Sequence, residues 1–427
     1  MLTTLALFAI FVVLFLANVQ IAVSLAVSSI IILSLTTEFN MFMVAQRMFS
    51  ALDSNTLMAI PGFVFAGALM TGGGISKYLI AAIRSWVGHY HGGLSVVTIL
   101  ACMLFAAISG SSPATAAAIG GILIPALIVG GYDKNYSMGL VAAGGTLGIL
   151  IPPSISFVLI GVTAELSIGK LFIAGVLPGL FLGGCLIVMA IFVARKHHYG
   201  GEPKYSWKDR WTHTLRAIPG FLMPVIILGS IYGGVATPTE SSIIAVFYSL
   251  FVAMFVYREL SWQGFRHILR ESIGITAMIF LIIPAAMTFG LYLTSEKIPQ
   301  SIVQWVTSYN LSAGMFWLAT QIMFFVMGTF LEAVSIILIT VPILFPLLKV
   351  VGIDPIHFAV IMVINMELAM ITPPVGLNLF VVSGIAKAKL EQVVKGVIPF
   401  IIIMIACMIL LILFPKISLL LPGMMKN

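Results

Sequence analysis

Long apolar runs separated by short polar connections fill almost the whole chain. Many of them exceed the roughly 18–20 residues that a helix needs to cross a bilayer, so they predict a bundle of membrane-spanning helices. Residues 2–35 are apolar except at Asn18-Val19-Gln20, which predicts two short helices or one bent helix. Residues 40–54 have the mixed pattern of an interfacial amphipathic helix. Uninterrupted runs predict spans at 57–83, 171–194, 217–236, 240–257, 273–294 and 391–414, with an amphipathic stretch at 261–272.

Four further runs contain polar or helix-breaking residues near their centres. Lipid cannot hydrogen-bond a freed backbone group, so such breaks persist only where protein or a hydrated cavity satisfies them. The first and third runs have arms too short to span well and predict re-entrant hairpins; the other two predict broken spans. In chain order the breaks are Gly110-Ser111-Ser112-Pro113 in 94–130, Pro152-Pro153-Ser154 in 137–162, Gly328-Thr329-Phe330-Leu331-Glu332 in 312–350, and Thr372-Pro373-Pro374 in 357–383.

The breaks recur in the same order 221 positions apart. Pro125 pairs with Pro346, and Pro152-Pro153 with Pro373-Pro374. We therefore predict two repeats, 1–195 and 216–427, joined by a basic linker at 196–215. Each repeat holds five spans and a hairpin, and this odd number of crossings inverts the second repeat relative to the first. Paired breaks in two inverted repeats are the sequence mark of a secondary transporter's binding site.

Basic residues set the predicted orientation. If both termini lie outside, about two thirds of the Lys and Arg residues, including those of the linker, fall on the inner side, as topology rules favour. We therefore place the linker in the cytoplasm and both termini on the outer, periplasmic side. The first hairpin then opens from the cytoplasm and the second from outside.

Composition agrees with an all-α polytopic membrane protein. Of 427 residues, 61% are hydrophobic and 8% are charged, whereas soluble domains have roughly 25% charged residues. The net charge of +7 comes largely from membrane-boundary loops, so we expect no nucleic-acid partner. The apolar N-terminal stretch lacks a basic region before it, and we expect it to be a retained membrane segment.

Oxygen-rich breaks predict ion and anion coordination without bond-making chemistry. Half-helix C-termini favour a cation such as Na⁺, and half-helix N-termini favour an anion. We expect two Na⁺ sites with the substrate between them. The first Na⁺ site is predicted at Ser109, Gly110, Ser111, Ser112, Gly145 and Thr146, the second at Gly328, Thr329, Glu332, Thr372 and Pro373, and the substrate site at Thr115, Pro152, Pro153, Ser154, Pro374, Gly376 and Asn378.

Simpler roles compete with these. A Ser or Thr side chain can bond back to its own helix, and a proline can merely kink it. Glu332 and Glu367 are intramembrane carboxylates, which fit ligand or proton-binding roles as well as structural hydrogen bonding. Glu240, in Thr237-Pro238-Thr239-Glu240, is expected to cap a helix.

With these residues in view, the chain resembles the large membrane subunit of tripartite ATP-independent periplasmic (TRAP) transporters over essentially its whole length. One departure is Pro113 in the hairpin tip, where small residues are usual. The motifs that carry the resemblance are Ser109-Gly110-Ser111, Ala114-Thr115-Ala116-Ala117-Ala118-Ile119-Gly120, Gly148-Ile149-Leu150-Ile151-Pro152-Pro153-Ser154, Ala174-Gly175-Val176-Leu177-Pro178-Gly179, and Leu368-Ala369-Met370-Ile371-Thr372-Pro373-Pro374-Val375-Gly376.

The resemblance implies a permease of a bacterial inner membrane, not an enzyme, that drives uptake of an organic acid with Na⁺. It also implies a periplasmic substrate-binding protein and a small four-helix membrane (Q) subunit as partners, with the large subunit in its unfused form. The implied mechanism is an elevator, in which the hairpins and broken spans slide against a frame that we place at residues 1–54 and 217–272. Sialic acid is favoured slightly over C4-dicarboxylates, because no Arg lies deep in a span to hold a second carboxylate.

Other classes give different expectations. A binding-protein-independent anion carrier of related architecture would carry the same paired breaks but would not co-purify with a small subunit. An intramembrane hydrolase would use Ser109-Gly110-Ser111 as nucleophile, yet no His falls well inside an apolar run. A scaffold protein would leave the duplicated breaks unexplained.

Overall fold

The computed structural model describes residues 2–36, 41–308 and 312–425, and within these ranges the chain forms helices and no strand. Residues 1 and 427, which bound the two predicted repeats, lie outside the described ranges. The all-helical fold class is confirmed.

The described residues of the first half form ten α-helices. Two 3-10 turns accompany them, one at Asn55–Met58 before α4 and one at Leu147–Ile149 after α8. The helices are α1 (Leu2–Leu16), α2 (Ile21–Thr36), α3 (Met41–Ser50), α4 (Ala59–Gly72), α5 (Ile75–Val87), α6 (Gly93–Ser109), α7 (Ser112–Val129), α8 (Lys134–Thr146), α9 (Ile155–Thr163) and α10 (Ile168–Lys196).

The second half contains ten more. A π-helical turn, Val252–Val256, extends α12. The helices are α11 (Trp207–Tyr232), α12 (Pro238–Phe251), α13 (Trp262–Ser295), α14 (Ile298–Ser308), α15 (Ala313–Gly328), α16 (Ala333–Val351), α17 (Pro355–Ala369), α18 (Leu377–Ala386), α19 (Leu390–Leu413) and α20 (Lys416–Met424). Among the described helices, eight are long and apolar enough to cross a membrane.

Helix order and packing repeat between the halves. The hairpin α6–α7 and the broken span α8–α9 correspond to α15–α16 and α17–α18 at the 221-residue offset. Contacts between the halves are reciprocal: α2 packs on α13 as α12 packs on α4, and α7 packs on α18 as α16 packs on α9. Such exchanged pairs are what a two-fold relationship between equivalent units produces.

The predicted span 57–83 is wrong in detail, because it is two helices. Gly74, with φ of +81°, ends α4 in a left-handed turn, which glycine adopts without the steric cost of a side chain. The following helix, α5, buries Ile75, Leu79 and Ile80 on one face and carries Lys77 and Arg84 elsewhere. It is thus an amphipathic helix, not the second part of a span.

Two other boundaries are corrected. The predicted amphipathic stretch 261–272 and span 273–294 form one 34-residue helix, α13, because neither Gly-Gly nor Pro interrupts the chain before Pro284. The basic linker 196–215 is also shorter than predicted. Its second part belongs to α11, which begins at Trp207 after Ser206, whose hydroxyl accepts a hydrogen bond from the backbone of Asp209.

Ion pairs hold the linker and loops to α5. Arg84 makes two hydrogen bonds to Glu202 in the linker, and these raise the pKa of the guanidinium. Lys77 Nζ lies 3.0 Å from Glu259 Oε1, and this hydrogen bond lowers the pKa of the Glu259 carboxyl. The linker is therefore bound to the helix bundle rather than fully solvated.

Glycines allow the helices around the breaks to pack closely. An added Cβ at Gly396 of α19 would lie 1.8 Å from the Asn135 carbonyl oxygen of α8. An added Cβ at Gly175 of α10 would lie 2.5 Å from the carbonyl oxygen of Leu150, which lies between α8 and α9 in the first broken span. The glycines that begin the two matching motifs, Gly175-Val176-Leu177-Pro178 and Gly396-Val397-Ile398-Pro399, thus allow α10 and α19 to pack closely against the broken spans.

Candidate functional site

The tip of the first hairpin rests directly on the first broken span. Gly110 ends α6 with φ of +60°, and an added Cβ there would lie 2.7 Å from the Pro153 carbonyl oxygen. An added Cβ at Gly145 would lie 2.7 Å from the Cβ of Ala116 in α7. Small residues on both sides therefore let the hairpin and the break touch through their backbones.

Three oxygen atoms converge at this tip. The Ser109 and Thr115 hydroxyl oxygens are 2.7 Å apart, and the Thr115 hydroxyl donates to the Ser111 carbonyl at 2.8 Å. Gly148 of the break lies against the same atoms, since its added Cβ would meet the Ser111 carbonyl at 2.5 Å and Thr115 Oγ1 at 2.6 Å. Hard cations prefer such carbonyl and hydroxyl oxygens.

The predicted hydroxyl ligands of the broken span bond within their own segment. Thr146 donates to the Ala143 carbonyl at 2.7 Å, and Ser154 donates to the Ile149 carbonyl. A hydroxyl that donates its proton keeps lone pairs that can bind a cation, so back-bonding and ligation are compatible. Residues 147–154 are all buried.

Helix ends give this site its electrostatic character. The C-termini of α6 and α8 end at the oxygen cluster, while the N-termini of α7 and α9 begin beside it. Helix C-termini carry partial negative charge and N-termini partial positive charge. The arrangement suits a cation next to a bound anion.

The second hairpin meets its broken span in a similar way. An added Cβ at Gly328 would lie 2.3 Å from the Cβ of Ala369, so the C-termini of α15 and α17 converge. Thr329 donates to the Val326 carbonyl and Thr372 to the Leu368 carbonyl, both at 2.7 Å. This break is less covered than the first, because residues 373–375 are exposed.

Glu332 does not face Thr372 through a hydrogen bond. It begins α16 and lines a cavity of about 630 Å³ with Asn18 and Gln20 of the α1–α2 turn and Ile282 of α13. Glu332 therefore lies beside the α1–α2 turn and α13, and makes no hydrogen bond to the other residues predicted for the second Na⁺ site.

Asn378, predicted as a substrate residue near Thr372, has its side-chain amide against the first hairpin. Its amide nitrogen donates to the Ser112 hydroxyl at 2.7 Å and to the Ala142 carbonyl at 3.2 Å. The side chain thus ties α18 of the second half to α7 and α8 of the first. Pro374 and Gly376, the other predicted substrate residues of the second half, remain in the second break.

A cavity of about 270 Å³ opens beside the first hairpin tip. It is lined by Ser109 and Ser111, by Gly67 of α4, and by His267 and Glu271 of α13. Gly67 lies closest to the tip, because its added Cβ would be 3.0 Å from Ser109 Cα. The cavity lies between the first hairpin and the helices α4 and α13.

The same cavity bears on the hydrolase alternative. His267 Nε2 and Glu271 Oε2 are 4.0 Å apart, with side chains 81% and 62% exposed. The Ser109 hydroxyl, however, bonds to Thr115 and Ser111 rather than to His267. The serine lacks the hydrogen-bonded base that a nucleophile requires.

Sequence reasoning missed two contacts of this site. Gly67 and Gly148 touch the hairpin tip, but nothing in the sequence places either glycine there. Glu367, an intramembrane carboxylate in the sequence, aligns with Thr146 at the 221-residue offset. That alignment was the signal available in the sequence.

Comparisons with known proteins agree with this architecture. A family model described as "Tripartite ATP-independent periplasmic transporter, DctM component" matches residues 8–417. The C4-dicarboxylate TRAP transporter large permease protein DctM of Pseudomonas aeruginosa is 45% identical over 400 residues, covering 94% of each chain. The sialic acid TRAP transporter large permease protein SiaM of Vibrio cholerae is 35% identical over 406 residues, covering 95% of each.

A solved structure shares the fold. The crystal structure of the Alcanivorax borkumensis YdaH transporter, described as having an unusual topology, matches with a TM-score of 0.62 and covers 87% of each chain. At 14% sequence identity, this likeness concerns the fold alone.

Proposed function

This chain belongs to the DctM-component family of TRAP transporters, and from that premise we propose that it carries out Na⁺-coupled uptake of a small organic anion delivered by a periplasmic binding protein. The family is one of transporter permeases, not enzymes. Its tripartite nature supports a small membrane subunit and a binding protein as partners, and a bacterial inner membrane as location. Co-purification with the small subunit would support this proposal, whereas its absence would favour a binding-protein-independent carrier.

The observation that carries the Na⁺ proposal is the oxygen cluster of Ser109, Ser111 and Thr115 at two converging helix C-termini. Neutral oxygens in a field of partial negative charge suit a monovalent cation. The meeting of Gly328 with Ala369 supports a second site at the matching place. Binding of Na⁺ at both would pull each hairpin onto its break.

The test is the Na⁺ dependence of uptake in vesicles that contain the small subunit and the binding protein. Thr146→Val and Thr372→Val each remove a hydroxyl while keeping the side-chain shape. Loss of one ligand should raise the Na⁺ concentration for half-maximal uptake by about tenfold, equivalent to about 1.4 kcal/mol. Thr98→Val and Thr340→Val are matched controls. Both hydroxyls are buried and donate to a carbonyl four residues back in their own helix, as the test hydroxyls do three or four residues back, but both lie inside helices and not at a break. Unchanged Na⁺ dependence in both test variants would exclude these hydroxyls as ligands.

For the substrate we propose a C4-dicarboxylate in place of the sialic acid favoured by the sequence argument. The relative named for C4-dicarboxylates is 45% identical, whereas the one named for sialic acid is 35% identical. The N-terminal ends of α7 and α9, which line the cavity of about 270 Å³ through Ala114 and Ile155, would hold carboxylates without a buried Arg. Uptake of labelled succinate, challenged with excess sialic acid, tests the choice: competition by sialic acid and not by other C4-dicarboxylates would reverse it.

We also propose an elevator movement, in which α6–α10 and α15–α20 slide against a frame of α1–α5 and α11–α14. Packing supports this grouping, since α4 with α12, α2 with α13 and α5 with α11 make the main contacts of the frame. The cavity of about 270 Å³ lies at the boundary between the two groups.

A further inference from the structure

Glu367 is a carboxylate buried without a partner. Its side chain is 0% exposed, and neither carboxylate oxygen has a hydrogen-bond partner within the described ranges. It lies in the last turn of α17, just before the break Thr372-Pro373-Pro374 of the second broken span. An ionised carboxylate in such a place is unfavourable unless a cation accompanies it.

Helix geometry shows which way the side chain points. Asn365 donates to Gln321 of α15 through its amide, at 3.0 Å to the carbonyl and 2.9 Å to Oε1, and Ala369 packs against Gly328 of the same helix. Residues four apart share a helix face, so Glu367, midway between them, points away from α15. On its other sides α17 packs against α9, α10, α16, α19, α20 and the 3-10 turn Leu147–Ile149. The carboxyl is therefore enclosed on the side of α17 that faces away from α15.

The two halves differ chemically at this position. Thr146, the residue at the 221-residue offset, satisfies its hydroxyl with the Ala143 carbonyl. Glu367 replaces that hydroxyl with an ionisable group that makes no such bond. The difference gives the second broken span a titratable group that the first lacks.

Within the part of the chain that the structure describes, no hydrogen bond joins Glu367 to a charged side chain. Neither α9, α15 nor the 3-10 turn carries an ionisable residue. Charged or titratable groups on α17 and the remaining helices packed against it lie toward helix ends, and two cysteines lie within helices. These groups, with the residue that caps the N-terminus of each helix included, are Asp354 and His357 of α17, Lys170, Cys185, Arg195 and Lys196 of α10, Glu332 and Lys349 of α16, Lys389, Glu391, Lys395 and Cys407 of α19, and Lys416 of α20.

Na⁺ and a proton make different demands on a buried carboxylate. A Na⁺ ion needs several oxygen ligands, whereas a proton needs a single carboxylate oxygen. The exposed residues 373–375 of the neighbouring break lie only six to eight positions after Glu367 in the chain.

We propose that Glu367 is a proton-binding site, so that each transport cycle carries a proton as well as Na⁺. The carboxylate takes one proton from water on one side of the membrane and, after the movement of its helices, returns it to water on the other side. Only an O–H bond forms and breaks. The coupling rests on the transport function proposed above, whereas protonation of the buried group does not.

The first experiment tests protonation without transport. Infrared difference spectra of the purified protein, titrated with acid and base, should show the carbonyl band of a protonated carboxyl that is absent in Glu367→Gln. Glu367→Asp should keep the band at a shifted frequency, which separates its assignment from a general loss of structure. An unchanged band in Glu367→Gln would overturn the proposal.

The second experiment tests coupling. Proteoliposomes containing the small subunit and a trapped pH dye, driven by a Na⁺ gradient, should report substrate-dependent proton movement of about one proton per substrate. Glu367→Gln should abolish this signal, whereas Glu391→Gln, which changes an exposed carboxyl at the start of α19, should keep it.

Wild-type Na⁺-driven uptake without proton movement would overturn the coupling alone. A raised Na⁺ requirement in Glu367→Gln, with proton movement unchanged, would make Glu367 a Na⁺ ligand instead. Absence of Na⁺-driven uptake in the wild type would refute the proposed function, while the infrared result would stand separately.

Discussion

At the residue scale, hydroxyl groups at the breaks make two kinds of hydrogen bond: to a carbonyl of their own helix, and to a hydroxyl of the neighbouring helix. Thr146, Thr329 and Thr372 each bond to a carbonyl three or four residues back, as the simpler interpretation of the sequence expects. Thr115 also bonds back, to the Ser111 carbonyl, but its hydroxyl meets that of Ser109 across the hairpin tip as well. Contact between separate helices is what turns a local hydrogen bond into part of a site.

Gly110→Ala tests the fit of the first hairpin on its break. The left-handed conformation at φ of +60° costs a non-glycine residue about 1–2 kcal/mol, and the new Cβ would also press on the Pro153 carbonyl. We expect a lower melting temperature and loss of Na⁺-driven uptake. Gly131→Ala is the matched control, since φ is +82° there but no atom lies within 4 Å. Equal effects in both variants would mean that the contact with Pro153 is unimportant.

At the element scale, helix ends and helix crossings define the site. The breaks bring four helix ends together in the first half, and α10 and α19 pack closely against the broken spans. The crossing of α19 over α8 depends on Gly396 and Gly139, whose backbones are in contact. Small residues at such crossings allow the close approach that stabilises membrane helices.

Gly396→Ala should therefore separate α19 from α8. Overpacking of this kind costs about 1–3 kcal/mol, so the melting temperature of the purified protein should fall. Gly384→Ala in α18 is the control, because no atom lies within 4 Å of its added Cβ, and alanine favours a helix there. A Gly396→Ala variant as stable as the control would contradict the proposed role of the crossing.

At the scale of the whole molecule, two packed groups of helices meet at cavities beside the hairpin tips. The first hairpin touches α4 at Gly67, and Glu332 at the start of α16 faces the α1–α2 turn and α13. An elevator requires these boundaries to slide while the contacts inside each group persist.

Crosslinking tests the sliding. In a chain without Cys102, Cys185 and Cys407, cysteines at Ala68 of α4 and Ala114 of α7 lie on the same cavity but in different groups. A short bifunctional thiol reagent across this pair should stop uptake and leave Na⁺ binding measurable. A pair at Met103 of α6 and Gly183 of α10, which touch within one group, should transport normally when bridged. Full transport by the first crosslinked pair would exclude the elevator.

Topology is tested by labelling. Lys204 lies in the linker that we place in the cytoplasm, and Val235, 81% exposed, lies at the opposite end of α11. In intact cells, an impermeant thiol reagent should modify a cysteine at Val235 and spare one at Lys204. The reverse pattern would exchange the sides of both hairpins.

The sequence alone determined the helical membrane fold, the positions of the four breaks and the family. It could do so because apolar length, Pro and Gly act locally on the backbone. Glu240 illustrates this, since the capping box with Thr237 follows from four adjacent residues.

Only the tertiary structure decided which residues meet. Asn378 belongs with Ser112 of the other half, Glu332 faces the frame, and Glu367 is left without a partner. These relations join residues that are far apart in the chain. They depend on how close helices pack and how far each one turns, which the order of apolar and polar residues leaves open.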